Sequence, residues 1–149
     1  MKVREAMTRD VYIANPQNSI KEVARVMADV DCGVVPVGEN DRLVGMLTDR
    51  DIAVRAVAQD KGPDTRVGEV MTRDVRYCYD DEDLDHVTLN MGDQQVRRLP
   101  VVDREKRLVG IISLGDVAIS PDGYDTSEAL TGISRPGGRH SQTGDSADL

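Results

Sequence analysis

The chain is written twice. Met7-Thr8-Arg9-Asp10-Val11 returns letter for letter as Met71-Thr72-Arg73-Asp74-Val75, and Arg42-Leu43-Val44-Gly45 returns as Arg107-Leu108-Val109-Gly110. The offset is 64 residues at the first anchor and 65 at the last, so the second copy carries one extra residue, near Lys106. Between the anchors Val23 answers Val87, Met27 answers Met91, Pro36-Val37 answers Pro100-Val101 and Asp51 answers Asp116. A period this long exceeds that of solenoid repeats and suits two copies of one small αβ unit. A half of about 60 residues buries too little surface to be comfortable alone, so the copies are expected to pack as one body.

Each copy reads β-α-β-β-α. In the first, Val11-Tyr12-Ile13-Ala14 is a short β-prone run closed by the turn signal Asn15-Pro16. Ser19-Ile20-Lys21-Glu22 fits a capping box, and Ile20, Val23, Ala24, Met27 and Val30 follow at helical spacing as one apolar face. Val34-Val35-Pro36-Val37 is a strand whose proline belongs at an edge or end. Gly38-Glu39-Asn40-Asp41 is a polar turn into a second strand, Leu43-Val44-Gly45-Met46-Leu47, and Thr48 opens a helix reaching about Ala58. The second copy repeats this order, with Gly92 near the end of its first helix and Pro121 cutting short its last. The division that follows is 1–61, 62–120 and a tail, 121–149, with a short helix over Ser127–Ile133 and disorder past Arg135-Pro136-Gly137-Gly138.

The strongest local signal is Gly45-Met46-Leu47-Thr48-Asp49-Arg50-Asp51, matched by Gly110-Ile111-Ile112-Ser113-Leu114-Gly115-Asp116. A hydroxyl followed three residues later by a carboxylate is a helix N-cap pattern, and capping alone explains both copies. The same geometry also suits a ligand. A helix N-terminus at a strand end seats phosphate, Thr48 or Ser113 can donate to it, and Asp51 or Asp116 can accept from two ribose hydroxyls. Glycine ahead of the strand's last residues lets a ligand lie close to the backbone.

Taken together, the Met-Thr openings, the Pro-Val hairpins and the two Gly-h-h-Ser/Thr-x-x-Asp turns resemble a tandem pair of CBS (cystathionine-β-synthase) domains, a Bateman module, over about residues 3–119. The resemblance implies an α/β (α+β) fold of two pseudo-symmetric β-α-β-β-α units packed as one module. It also implies adenosine compounds in clefts between the copies. The family's hydroxyl and ribose-binding aspartate correspond to Thr48 with Asp51 and Ser113 with Asp116. Its basic residues before the Pro-Val strand correspond to Arg97 and Arg98, and its adenine wall to the backbone near Ile13 and Tyr77. Gly33-Val34 stands where the second copy has Arg97-Arg98, and Arg50 stands opposite Gly115. The two sites are therefore not equivalent. Simple packing is the competing role for Tyr77, and a solvated strand end that for Arg97 and Arg98.

Composition narrows the function. With no Phe, no Trp and four Tyr, Val, Ile, Leu and Met must fill the core. A net charge of −8 argues against nucleic acid, although Arg97, Arg98, Arg104 and Arg107 gather a local basic patch. No apolar run approaches the roughly 18 residues of a membrane span, and no secretion signal is read at the start. Cys32, Cys78, His86 and His140 form no metal-ligand spacing, and both cysteines read as small hydrophobes of a reducing cytoplasm. No nucleophile–base pair suggests an enzyme, and His86 falls on a polar helix side. The leading reading is a regulatory sensor of adenosine nucleotides (AMP, ADP or ATP type) without cofactor or metal, acting in trans or through its own oligomer. A ligand-free structural or interaction module is the alternative. A homodimer is expected, with Ile20-Val23-Met27 and Leu84-Val87-Met91 as candidate faces, each of which reads equally as ordinary core of its own copy.

Overall fold

A computed structural model describes residues 1–120 and 127–134. In chain order the elements begin with α1 (Val3–Ala6), α2 (Ile20–Val30), β1 (Val34–Glu39), β2 (Arg42–Thr48), α3 (Asp49–Asp51) and α4 (Val67–Val70). They continue with β3 (Cys78–Tyr79), α5 (Leu84–Gln94), β4 (Arg98–Val102), β5 (Leu108–Ser113), α6 (Leu114–Ala118) and α7 (Ser127–Ile133). Residues 121–126 and 135–149, with the expected tail disorder and His140, lie outside the described residues.

The compact units do not coincide with the repeats of the sequence. One unit joins Met1–Asp10 to Tyr77–Glu105 and Val109–Leu149, and the other joins Val11–Arg76 to Lys106–Leu108. Each Met-Thr opening thus packs with the hairpin of the other copy, where the sequence division had placed 1–61 and 62–120. Val3 and Met7 sit in a core with Leu84, Val87, Met91, Val101, Ile112 and Val117. Val67, Val70 and Met71 sit in a core with Ile20, Val23, Met27, Val35, Val37 and Leu47.

Backbone pairing holds each opening in place. Thr72 and Met46 exchange amide hydrogen bonds of 2.8 and 2.9 Å, and Thr8 and Ile111 exchange bonds of 2.9 and 3.0 Å. Gly45 and Gly110 make this possible. A Cβ on Gly45 would stand 2.8 Å from the Thr72 carbonyl oxygen, and one on Gly110 would stand 2.5 Å from that of Thr8. These glycines admit a crossing backbone, which corrects the expectation that they clear room for a ligand.

In the Val11–Arg76 unit, Ser19 caps α2 as expected: its hydroxyl accepts from the Glu22 amide and Glu22 reaches back to the Ser19 amide. The buried face is narrower than its sequence pattern, because Ala24 and Val30 are exposed while Ile20, Val23 and Met27 are buried. The hairpin β1–β2 turns on Asn40 and Asp41, both left-handed. Pro36 lies inside β1, not at its end, and its carbonyl accepts from the Ala14 amide at 3.0 Å. A strand residue's N–H and C=O point to the same side, so the missing N–H of Pro36 faces the 11–13 run, which stays unpaired except for the bridge Ala14↔Val37. In the other copy the Asp80 amide donates to Val102 at 2.9 Å and β3 forms. Its counterpart in the first copy is Pro16, with no amide to give.

The helix opened by Thr48 reaches Gln59, but only α3 is α-helical; a π-helical turn (Ile52–Ala56) and a 3₁₀ turn (Val57–Gln59) follow. In the other unit α6 ends at Ala118, three residues before Pro121. The two stripes expected at a dimer face, Ile20-Val23-Met27 and Leu84-Val87-Met91, are interior to their own units. There α7 covers α5: a Cβ on Gly92 would meet Ala129 Cα at 2.8 Å, and one on Gly132 would meet the Gly92 oxygen at 2.5 Å.

Two outcomes follow from this packing. In an open helix Gly→Ala stabilises by about 1 kcal/mol, but Gly92→Ala forces α7 away and is expected to cost about 1–3 kcal/mol. In a chain ended at Ser120 the same change becomes stabilising; urea melts of the four proteins read the sign reversal, and a stabilising Gly92→Ala in the full chain refutes the contact. Burial, then the nearby Glu82 and Asp80 carboxylates, push the Cys78 thiol up from 9.0 to about 12. The unfolded chain loses this proton first, so folding stability falls between pH 9 and about 12, by up to about 1.4 kcal/mol per pH unit. Cys78→Ala is expected to flatten that part of the pH profile relative to the parent.

Candidate ligand site

The two Ser/Thr-x-x-Asp turns are reciprocal caps. In the Val11–Arg76 unit the Thr48 amide donates to Asp51 Oδ2 at 3.0 Å and the Asp51 amide to Thr48 Oγ1 at 3.0 Å. In the other unit the Ser113 amide donates to Asp116 Oδ2 at 2.9 Å and the Asp116 amide to Ser113 Oγ at 3.1 Å. Both hydroxyls and both carboxylates therefore hold a strand end against a helix start, whatever else they do.

Their surroundings differ. Asp51 is buried, and Arg55, one helical turn on, brings Nε to 3.8 Å from its Oδ1. Arg55 also donates to the carbonyls of Val70 and Met71 at 3.4 and 3.2 Å, tying the cap to the end of α4. The residue in Arg55's place in the second copy is Ser120, so Asp116, half-buried, has no such cation four residues on. The sequence reading passed over Arg55, although the Asp51-x-x-x-Arg55 spacing is that of an i,i+4 ion pair.

Amide supply differs as well. The first three amides of α3 are engaged within the protein: Asp49 N with the Gly33 carbonyl at 3.0 Å, Arg50 N with Asp49 Oδ1 at 2.8 Å, and Asp51 N with Thr48. The Asp49 carboxylate also occupies the space beside Gly33, 2.8 Å from where a Cβ would stand. This helix start therefore offers a carboxylate, not vacant amides, and the phosphate seat expected at Thr48 does not form there. At α6 the Leu114 amide likewise bonds the Arg97 carbonyl at 3.0 Å. Leu114, however, has no carboxylate to offer the Gly115 amide. Arg97, just before β4, and Arg98, its first residue, present exposed side chains, and the Arg97 carbonyl ties them to the start of α6.

The remaining candidates are spread out. Arg50 is exposed on α3. Ile13 is partly exposed and packs over Gly38, its Cγ2 2.9 Å from the position of a Cβ there. Tyr77 sets its ring edge-on to Tyr79, centroids 5.8 Å apart at 80°, and stays 41% exposed. The basic patch is interrupted, because Arg104 binds Asp81 at 2.7 Å and lies 4.2 Å over the Tyr79 ring. That hydrogen bond holds the Asp81 carboxyl below the usual carboxylate range. Among the described residues no group of three or more His, Cys, Asp and Glu could hold a metal ion, and no helix is long and apolar enough to cross a membrane.

Two α/β units, each with a Met-Thr opening crossing its glycine and a reciprocal hydroxyl–aspartate cap, define a class of regulatory ligand-binding module. The chain belongs to the CBS domain family: the family model matches residues 3–57 and 67–120. It is 40% identical over 133 residues to the CBS domain-containing protein YhcV of Bacillus subtilis, covering 89% of this chain and 94% of that protein. Among solved structures, Hypoxic Response Protein I with two coordinated zinc ions superposes with a TM-score of 0.72 at 33% identity, covering 79% of this chain and 97% of that one. The CBS domain pair of protein MJ0100, in complex with 5-methylthioadenosine and S-adenosyl-L-methionine, superposes with a TM-score of 0.69 at 31% identity, covering 79% and 93%.

Proposed function

We propose that this chain is a cytoplasmic sensor of adenosine nucleotides, a regulatory module with no catalytic step, and that the Ser113–Asp116 turn is its principal nucleotide contact. The observation that carries the reading is the difference between the two caps. Asp116 spends one carboxylate oxygen on the Ser113 amide, and no arginine follows one turn on to compete for the other. That oxygen is the acceptor for ribose hydroxyls, and Arg97 and Arg98 supply the charge for phosphate. In the same unit Tyr77 gives apolar surface to a base, and in the Val11–Arg76 unit Ile13 does so for the Thr48–Asp51 turn. Thr48, Asp51 and Arg50 form the weaker counterpart, since Arg55 faces Asp51 and Asp49 repels phosphate. The adenosine ligands of the MJ0100 pair support the ligand class. The engaged amides of α3 favour a second reading, in which the caps are structural and the chain is an interaction module. A nucleotide is the regulatory ligand here, not a cofactor.

Calorimetry tests the assignment. A hydrogen bond to a charged group contributes about 1.5–3 kcal/mol, so Asp116→Ala is expected to weaken AMP at least roughly tenfold, and Asp51→Ala to weaken it less. Changing Arg97 and Arg98 together to Ala is expected to weaken AMP far more than adenosine and to reduce the salt sensitivity of binding. Unchanged AMP affinity in Asp116→Ala, with the fold intact, removes the assignment. A melting temperature indifferent to AMP, ADP and ATP favours the interaction module.

The proposal includes a homodimer. Its contact must use apolar side chains left outside the two cores, and Val54 and Val57 on the π and 3₁₀ turns are exposed on one surface segment of the Val11–Arg76 unit. Light scattering at micromolar concentration is expected to give twice the 16.3 kDa of one chain. Val57→Asp is expected to return that mass to a single chain; a parent that is already monomeric rules the dimer out.

A further inference from the structure

The Val11–Arg76 unit holds a second concavity, at the opposite end of its hairpin from Thr48. It is a cleft of about 390 Å³, lined among others by Glu39, Val44, Arg66, Gly68, Met71 and Arg73. That volume falls in the ordinary range for small-molecule sites. Three features of the chain build it. The register of β1 and β2 shifts so that Val37 faces Gly45 and Gly38 faces Leu43, leaving Val44 as the bulged residue. A bulge re-aims a side chain, and Val44 with Met71 supplies the apolar part of the lining. Gly68 sits inside α4 and keeps its surface low beside Pro16, whose carbonyl oxygen lies 3.3 Å from where a Cβ would stand. Arg66 and Arg73 are each held by one contact, Arg66 by the Gln17 side chain and Arg73 by the Gly68 carbonyl at 2.9 Å. A guanidinium has five N–H donors, so most of theirs are left for a ligand.

The other copy shows what Gly68 is for. Its counterpart is Arg4, whose amide donates to Asp80 at 2.9 Å just as the Gly68 amide donates to Pro16 at 2.9 Å. The same backbone thus accepts an arginine. There Arg104 binds Asp81, the counterpart of Gln17, at 2.7 Å. Where that unit carries an arginine side chain, the Val11–Arg76 unit carries a glycine.

We propose that the open cleft binds a small zwitterion of the α-amino-acid class with an apolar side chain. The lining carries two guanidinium groups and two carboxylates, Glu39 and Glu69. Its charge is balanced, which suits a neutral molecule with separated charges better than a phosphate. The ligand carboxylate lies with Arg66 and Arg73 in the bidentate manner guanidinium favours. Its ammonium turns to Glu39, because Glu69 already accepts from the Arg66 amide. Its side chain rests on Val44 and Met71. This site is separate from the hydroxyl–aspartate caps and does not rest on the nucleotide reading.

Amide NMR titration of the full chain with L-leucine, isocaproate and isoamylamine tests the proposal. L-Leucine is expected to shift the Val44, Gly68 and Met71 amides saturably, with isocaproate and isoamylamine each at least tenfold weaker. Gly68→Arg, which copies the arginine the other unit accommodates, is expected to abolish these shifts while the dispersed spectrum of the folded chain is kept. Glu39→Gln, a change at an exposed strand end, is expected to weaken leucine and leave isocaproate unchanged, which keeps the test decisive if Gly68→Arg does not fold. No saturable shift with leucine at millimolar concentration overturns the proposal. Isocaproate binding as tightly as leucine, or leucine binding unchanged in a folded Gly68→Arg, overturns it as well.

Discussion

The structure depends on one backbone crossing made twice. In each unit a Met-Thr segment lays its peptide across a strand glycine, Thr72 over Gly45 and Thr8 over Gly110, closely enough that any Cβ would collide with the crossing carbonyl. The two amide hydrogen bonds exchanged there pair backbone groups of the crossing segment with those of the strand. The crossing also delivers a methionine, Met71 or Met7, and a valine, Val67 or Val3, into the core beneath. The arginine that follows each Met-Thr pair turns back to the short helix before it, Arg73 to the Gly68 carbonyl and Arg9 to the Arg4 carbonyl, occupying acceptors that a helix C-terminus leaves open. The letter-for-letter repeat of Met-Thr-Arg-Asp is therefore the repeat of a joint.

Because the joint takes its strand from one copy and its crossing segment from the other, neither copy of the sequence is a structural unit by itself. A core of Val, Leu, Ile and Met without Phe or Trp is assembled from both parts. The roughly 0.8 kcal/mol gained per buried methylene makes the valine and methionine of each opening a substantial share of a small core.

Around a largely shared backbone the two copies have diverged at single side chains. Asp49 against Leu114 decides whether a helix start carries its own carboxylate. Arg55 against Ser120 decides whether the cap aspartate faces a cation. Pro16 against Asp80 decides whether the first strand pairs past a single bridge. Gly68 against Arg4 decides whether a short helix carries a side chain at that place. Apart from Pro16, which removes a backbone hydrogen bond, each exchange leaves the common hydrogen bonds standing and alters the side chain presented beside them.

The sequence by itself determined a good deal. The repeat, the Ser19–Glu22 capping box, the Asn40-Asp41 turn and both hydroxyl–aspartate caps are local patterns, with every interacting group within four residues, and all were legible in the letters. The β-α-β-β-α order and the CBS resemblance followed from them. Only the tertiary structure decided what depends on distant partners. Gly45 and Gly110 read as room for a ligand until the crossing segment was seen to fill that room, because a glycine's letter does not say which backbone approaches it. Ile20-Val23-Met27 and Leu84-Val87-Met91 read equally as core or dimer face, since periodicity marks an apolar stripe but not what covers it. The exchange of openings between the copies, the engaged amides of α3 and the cleft beside Gly68 likewise join residues far apart in the chain, where spacing carries no information and packing alone selects the partner.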